Sequence, residues 1–145
     1  MDKPLYPDQV LVKFSTKEKE FLKQITSRIQ RENLNLNIPT YYSESYCDDN
    51  MRAYLITTYI PYSIEEYLAY KGAKKNYPLA IEIAAKMIST VESFHKLGYI
   101  HRDLNPLSFR VNENGEVFLK NVENVVKYVD DNGVHIDDRF GDFVG

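Results

Sequence analysis

His101-Arg102-Asp103-Leu104-Asn105-Pro106-Leu107-Ser108-Phe109-Arg110-Val111 (HRDLNPLSFRV) decides how this chain is read. A histidine, an arginine and an aspartate stand at successive positions, between segments of opposite periodicity. Upstream, Asn76-Tyr77-Pro78 introduces a long helix that runs to about Leu97, with Pro78 in the first turn, where a missing N–H is tolerated. Ile81, Ala84, Ala85, Ile88, Val91 and Phe94 form its apolar stripe, and Gly98 is its C-cap. Downstream, Ser108–Val111 and Glu116–Leu119 flank Asn114-Gly115, a strong short-range hairpin signal.

Further outward, Gln9–Phe14 (QVLVKF) reads as a short β-branched strand. Ser15-Thr16-Lys17-Glu18 has the capping-box pattern and opens a helix with Phe21, Leu22, Ile25 and Ile29 on one face. Asn33–Asn37 breaks it, and Pro39 confirms the end. Strands are predicted at Thr40–Ser43 and Met51–Ile60, with an acidic polar loop, Glu44–Asn50, between them. Pro61 stops the second strand. Ser63-Ile64-Glu65-Glu66 is another capping box, starting a short helix with Ile64, Tyr67 and Leu68. Beyond Asn121 the chain is acidic and weakly patterned.

With 145 residues, 43% apolar and 27% charged, the composition is that of one globular domain able to bury a core. A net charge of −3 argues against sequence-independent nucleic-acid binding, which needs a basic face. A single cysteine, Cys47, excludes an intrachain disulfide framework and fits a reducing compartment. The N-terminus lacks a signal-peptide pattern and no apolar run approaches a membrane span, so cytoplasm or nucleus is expected, with no membrane partner.

HRDLNPLSFRV resembles the catalytic loop of protein kinases, H-R-D-L-x-x-x-N, in which the Asp accepts the substrate hydroxyl proton and the Asn holds magnesium. The order strand, helix, two strands, short helix, long helix, loop, hairpin resembles the middle of that fold. Several segments are similar to the casein kinase 1 family: Ile38-Pro39-Thr40, Ser63-Ile64-Glu65-Glu66, Met87-Ile88-Ser89, and Phe94-His95 before Tyr99-Ile100-His101-Arg102-Asp103. Lys127-Tyr128, His135-Ile136 and Arg139 look like part of its activation segment. The resemblance implies an α+β, protein kinase-like fold in one partial domain, residues 1–145. Residues 9–60 would form an N-lobe remnant of antiparallel strands plus one helix, with the hinge. Residues 61–145 would form the first part of the helical C-lobe through part of the activation segment. A complete kinase domain is longer, so a fragment or a much-reduced relative is expected.

The resemblance also assigns roles. Asp103 stands at the base position; Asn105 replaces the Lys that steadies the transferring phosphoryl. Lys13 is placed at the phosphate-pairing lysine, with Glu20 or Glu18 as its partner, or else it is a lysine at a strand end facing water. Leu11 takes the place of the small residue lining the adenine pocket. Thr57 falls at the gatekeeper, and Thr58, Tyr59 and Ile60 at the hinge. Ser108 and Asn121 occupy the magnesium-ligand positions, and Glu123 the glycine of D-F-G. Two neutral ligands suit a hard cation poorly. Arg110 replaces the apolar adenine floor, where a guanidinium must be desolvated under a neutral ring, an expense that stacking offsets in part. These departures imply a catalytically impaired chain with no cofactor, acting through a protein partner. The alternatives are an active serine/threonine kinase using ATP and magnesium on a protein substrate, or an incomplete gene product. Apolar faces around Ile83, Met87 and Val91 are expected to stay partly exposed.

Overall fold

Ser15 and Ser63 both cap helices, Ser63 with the whole box its spacing to Glu66 predicts and Ser15 with one half of the box expected with Glu18. In the computed structural model, which describes residues 6–12, 14–47, 52–72 and 77–136, Ser15 Oγ accepts from the Glu18 N–H at 3.2 Å. Ser63 makes the full reciprocal box with Glu66. These caps start helices α1 (Thr16–Glu32) and α2 (Ile64–Tyr70). α1 ends at Asn33, which takes the left-handed conformation (φ 52°) that asparagine tolerates better than most residues. Lys13 lies outside the described residues, as does Arg139.

Strands β1 (Gln9–Val12), β2 (Tyr41–Cys47) and β3 (Arg52–Thr58) form an antiparallel sheet with β3 in the middle. β2 runs further than the sequence suggests: Glu44–Cys47, expected as loop, pair with β3 through Cys47 opposite Arg52. An edge strand can be this polar because one of its faces meets solvent. Thr26 on α1 accepts from the Tyr41 N–H through Oγ1 at 3.0 Å, locking the helix to the start of β2.

β4 (Tyr62–Ser63), β6 (Phe109–Val111) and β7 (Val117–Leu119) make a second sheet in the order β4-β6-β7, and β5 (Tyr99–Ile100) pairs with β8 (Val126–Lys127). The β6–β7 hairpin forms where Asn114-Gly115 predicts it. Its turn is closed by Asn112 N–H to Glu116 O at 3.0 Å, with Gly115 at φ 77°. Asn112 Oδ1 accepts from the N–H groups of Asn114 and Glu116, the asparagine turn geometry. Gly115 is also needed for space, since a Cβ there would lie 2.8 Å from the Tyr67 hydroxyl.

α3 (Tyr77–Lys96) corrects the sequence reading of its buried face. Ile81 and Ile88 of the expected stripe are each 69% exposed, whereas Ile83, Thr90 and Phe94 are buried. The β6–β7 hairpin packs on that side and supplies an acceptor for its polar member: Thr90 Oγ1 donates to Lys86 O at 2.8 Å and also lies 3.4 Å from Val117 O. Ile83, expected at a partly exposed face, is thus core; Met87 and Val91 are half-buried. The core is one apolar cluster that runs from Leu22, Ile25 and Leu55 to Ile83, Phe94, Val111, Leu119 and Val122. This α+β arrangement of antiparallel strands and helices is compatible with part of a kinase-like domain. No helix among the described residues is long and apolar enough to cross a membrane.

Candidate functional site

The loop after β5 is built around His101, which is fully buried with its ring edge on Phe94. His101 Nδ1 accepts from the Asp103 N–H at 3.2 Å, so Nε2 carries the proton and donates to Lys120 O at 2.7 Å. That tautomer is assigned from the hydrogen bonds. Between them Arg102 sits at φ 71°, a conformation costing a non-glycine residue on the order of 1 kcal/mol or more. Its Nε donates to Asn124 O at 2.7 Å, which holds the turn.

Asp103 is exposed, and its backbone carbonyl is the anchor of the loop. It accepts from Ser108 Oγ at 2.8 Å and from Asn105 Nδ2 at 3.2 Å. Asn105 Oδ1 accepts from the Leu107 N–H at 2.8 Å, and Ser108 Oγ accepts from the Asn105 N–H at 3.2 Å. Pro106–Ser108 is thereby capped as a single 3-10 turn. Asn121, left-handed at φ 57°, donates through Nδ2 to Leu107 O at 3.1 Å.

These contacts decide whether magnesium fits. Ser108 is fully buried, and its hydroxyl both donates and accepts inside the loop. Asn121 brings a neutral amide already engaged by Leu107. Among the described residues no group of three or more His, Cys, Asp or Glu could hold a metal ion. The residues present do not fit a magnesium site: both positions staple the loop instead.

Beside the loop a cleft of about 350 Å³ opens between β1, α1, β3 and the end of β7. Val10, Val12, Leu22, Thr57, Ile60 and Val122 give it apolar walls. Leu11 is not among them. It is 44% exposed on the other face of β1, because successive strand side chains alternate, so the bulk argument made for Leu11 passes to Val10 and Val12. On α1, Glu18 lines the cleft while Glu20 is exposed. Two residues further along, a helix has turned by about 200°.

At Thr58–Ile60, expected as a hinge, several backbone groups are engaged by the chain itself. The Tyr59 N–H donates to Asp8 O at 2.7 Å, and Thr58 exchanges hydrogen bonds with Thr40 through its N–H and Oγ1. Arg110 reaches the same segment from β6: Nε donates to Ile60 O at 3.2 Å and Nη2 to Pro61 O at 2.9 Å, with Nη1 3.8 Å from Glu66. The guanidinium is satisfied at the rim of the cleft, which resolves the desolvation problem that its position on β6 poses.

Lys120 is the charged cleft residue that sequence reading missed, beside the apolar wall residues Val10, Val12, Leu22 and Val122. β6–β7 pairing sets Arg110 opposite Phe118, and strand alternation then carries Lys120 to the same side. That was the available signal, once register was known. Burial, and next the Arg110 charge, lower the Lys120 ammonium from its usual 10.5, with Glu18 opposing. Burial, and next Glu123, raise the Glu18 carboxyl from 4.5, with Lys120 opposing.

The raised Glu18 value has a pH consequence. Below 4.5 the group is protonated in both folded and unfolded chains and carries no penalty. As pH rises through the folded value, the folded state must hold a poorly solvated carboxylate, so Glu18 lowers stability at neutral pH. Glu18→Gln is therefore expected to raise Tm at pH 7 by no more than about 2 °C, since the side chain keeps partial solvation. The gain should vanish by pH 4 in parallel melts. A gain that persists or grows in acid would contradict this account.

The chain is 32% identical over 72 residues to the serine/threonine-protein kinase ppk35 of Schizosaccharomyces pombe, a match spanning 49% of this chain and 11% of that protein. No family model matches. The chain thus covers a small part of the length of this curated relative. Over that stretch the similarity supports a kinase-like relationship, in agreement with the arrangement of strands and helices.

Proposed function

We propose that this chain is a kinase-like domain, related to the casein kinase 1 family, that has lost magnesium-dependent phosphoryl transfer and acts by binding protein. The observation that carries this reading is the use of Ser108 and Asn121 as loop staples. Phosphoryl transfer consists largely of positioning and of neutralising charge on the moving phosphate by metal ions. Here the ligand positions offer a buried hydroxyl and an engaged amide. Asn105, which stands where the phosphoryl-steadying lysine would be, is likewise spent on capping. Arg110, tied to the carbonyls of Ile60 and Pro61, takes up hinge acceptors that an adenine ring would face.

A binding role draws support from the surface. Ile81 and Ile88 on α3, with Leu104 and Leu107 on the loop, leave large apolar side chains in water. Exposed apolar patches of this kind commonly mark interaction surfaces. Asp103 keeps an exposed carboxylate at the base position, and an active serine/threonine kinase would rest on it.

Purified protein in ATP with excess magnesium or manganese is expected to show no rise in Tm and no phosphate transfer to acidic or phosphorylated peptides. A ligand at a hundredfold its Kd would add about 2.7 kcal/mol, a shift that a melt resolves readily. Metal-dependent stabilisation together with transfer that disappears in Asp103→Asn would overturn the reading.

A further inference from the structure

We propose that the exposed face of α3 is a homodimer interface, on which a second copy of this chain packs antiparallel about a two-fold axis at Ser89. This gives a partner to the protein-binding role proposed for the chain and rests on that reading.

The sequence of α3 sets two lines of side chains next to each other. Ile81, Ile88 and His95 recur every seven residues, as do Glu82, Ser89 and Lys96, and seven residues make nearly two turns of a helix. Ile83, Thr90 and Phe94 take the core side, which turns these lines outward. Ile81 and Ile88 are each 69% exposed, Glu82, Ser89 and Lys96 are exposed as well, and His95 is half-buried. Beside Ile88 a groove of about 740 Å³ runs between α3 and the loop, with Met87, Val91, Leu104 and Phe109 among its walls. The face thus carries an apolar ridge next to an apolar groove. A two-fold interface needs that self-complementary shape, because one patch serves both partners.

Charge sets the direction. Glu82 stands seven residues before Ser89 and Lys96 seven residues after it. Reversing one helix about Ser89 therefore places each Glu82 opposite Lys96 of the other copy. The same register brings Ile88 against its own copy and Ile81 to the end of the other copy's groove that His95 lines. A parallel pairing would oppose Glu82 to Glu82 and Lys96 to Lys96, which like-charge repulsion disfavours. The present partners of these groups are Lys86 at 3.2 Å and Glu92 at 2.9 Å, exposed pairs within the helix that are weak and easily shared. Ser89 is small, so two helices approach closely at the axis. Glu92 and Lys96 give the groove one carboxylate and one ammonium, which favours neither an acidic nor a basic peptide. A second copy matches that balance by symmetry.

The test is sedimentation equilibrium of the purified chain over about 1 μM to 1 mM. A monomer–dimer equilibrium is expected. Ile88→Asp should weaken it by about tenfold or more, with the fold kept because the site is exposed. Glu82→Lys and Lys96→Glu should each weaken it several-fold. The double variant has the net charge of the parent and should regain the parent's affinity. A monomer at every concentration would overturn the proposal and leave the face to a different protein. Dimers unchanged by Ile88→Asp, or a double variant as weak as the single ones, would overturn it too. If the chain is monomeric while the ATP and magnesium assays are blank, this inference alone fails. Magnesium-dependent phosphate transfer would remove the functional reading instead.

Discussion

Phe94→Ala is expected to lower stability by about 3–5 kcal/mol, the range for removing a large aromatic ring from a packed core. Phe94 is fully buried, and its ring meets three separate parts of the chain. Its ring lies 5.9 Å from Phe21 on α1, 5.6 Å from Tyr99 on β5 and 6.4 Å from His101 in the loop. Edge-on and stacked aromatic pairs add to plain burial, so the loss includes several oriented contacts as well as a cavity. For a domain whose total stability is of order 5–15 kcal/mol, that leaves a marginal or unfolded chain. Urea unfolding would show it as a fall in midpoint at unchanged slope. Because His101 loses the surface it rests on, loop amides near Asp103 should exchange faster in the variant even where it remains folded. A loss below about 1.5 kcal/mol would mean that neighbouring rings collapse into the space, contrary to the close packing described here.

Ser108→Asn, which installs the asparagine of the kinase pattern that Ser108 is proposed to replace, is expected to damage the protein without creating metal binding. The site is fully buried, so the larger side chain overpacks it at a cost of about 1–3 kcal/mol. The hydroxyl's part-buried bonds to Asp103 O and from the Asn105 N–H are also lost, at about 0.5–1.5 kcal/mol each. The expected sum is about 2 kcal/mol or more, read from the same urea melts. Manganese titration followed by paramagnetic resonance should show no new site. A Ser108→Asn protein as stable as the parent, with a metal site of micromolar affinity, would show that the loop can be reopened for chemistry. The staple account would then be wrong.

Legibility in the sequence followed the range of the interaction concerned. The two serine caps, the stop at Asn33 and the hairpin at Asn114-Gly115 were all readable because each signal acts within a few residues. The α3 stripe was misread because the buried face includes Thr90, a polar residue whose acceptors come from its own helix and from β7. A hydroxyl satisfied by another element is invisible to hydrophobic periodicity. Motif alignment puts Leu11 at the pocket wall, and the alternation of β1 sets it on the outside.

What the sequence determined by itself is the succession of elements and the departures from the catalytic pattern at Asn105, Ser108, Arg110 and Asn121. What the departures do was decided by tertiary structure. Arg110 finds its acceptor at Ile60, 50 residues away, and Ser108 and Asn105 close on the carbonyl of Asp103. Lys120 acquires its place in the cleft only through the pairing of β6 with β7 and the bonds from His101 and to Ser108. The physical reason is that a side chain's chemistry depends on which groups desolvate it and which hydrogen bonds it. Those partners are brought together by packing across long stretches of chain, and the local pattern of residues does not specify them.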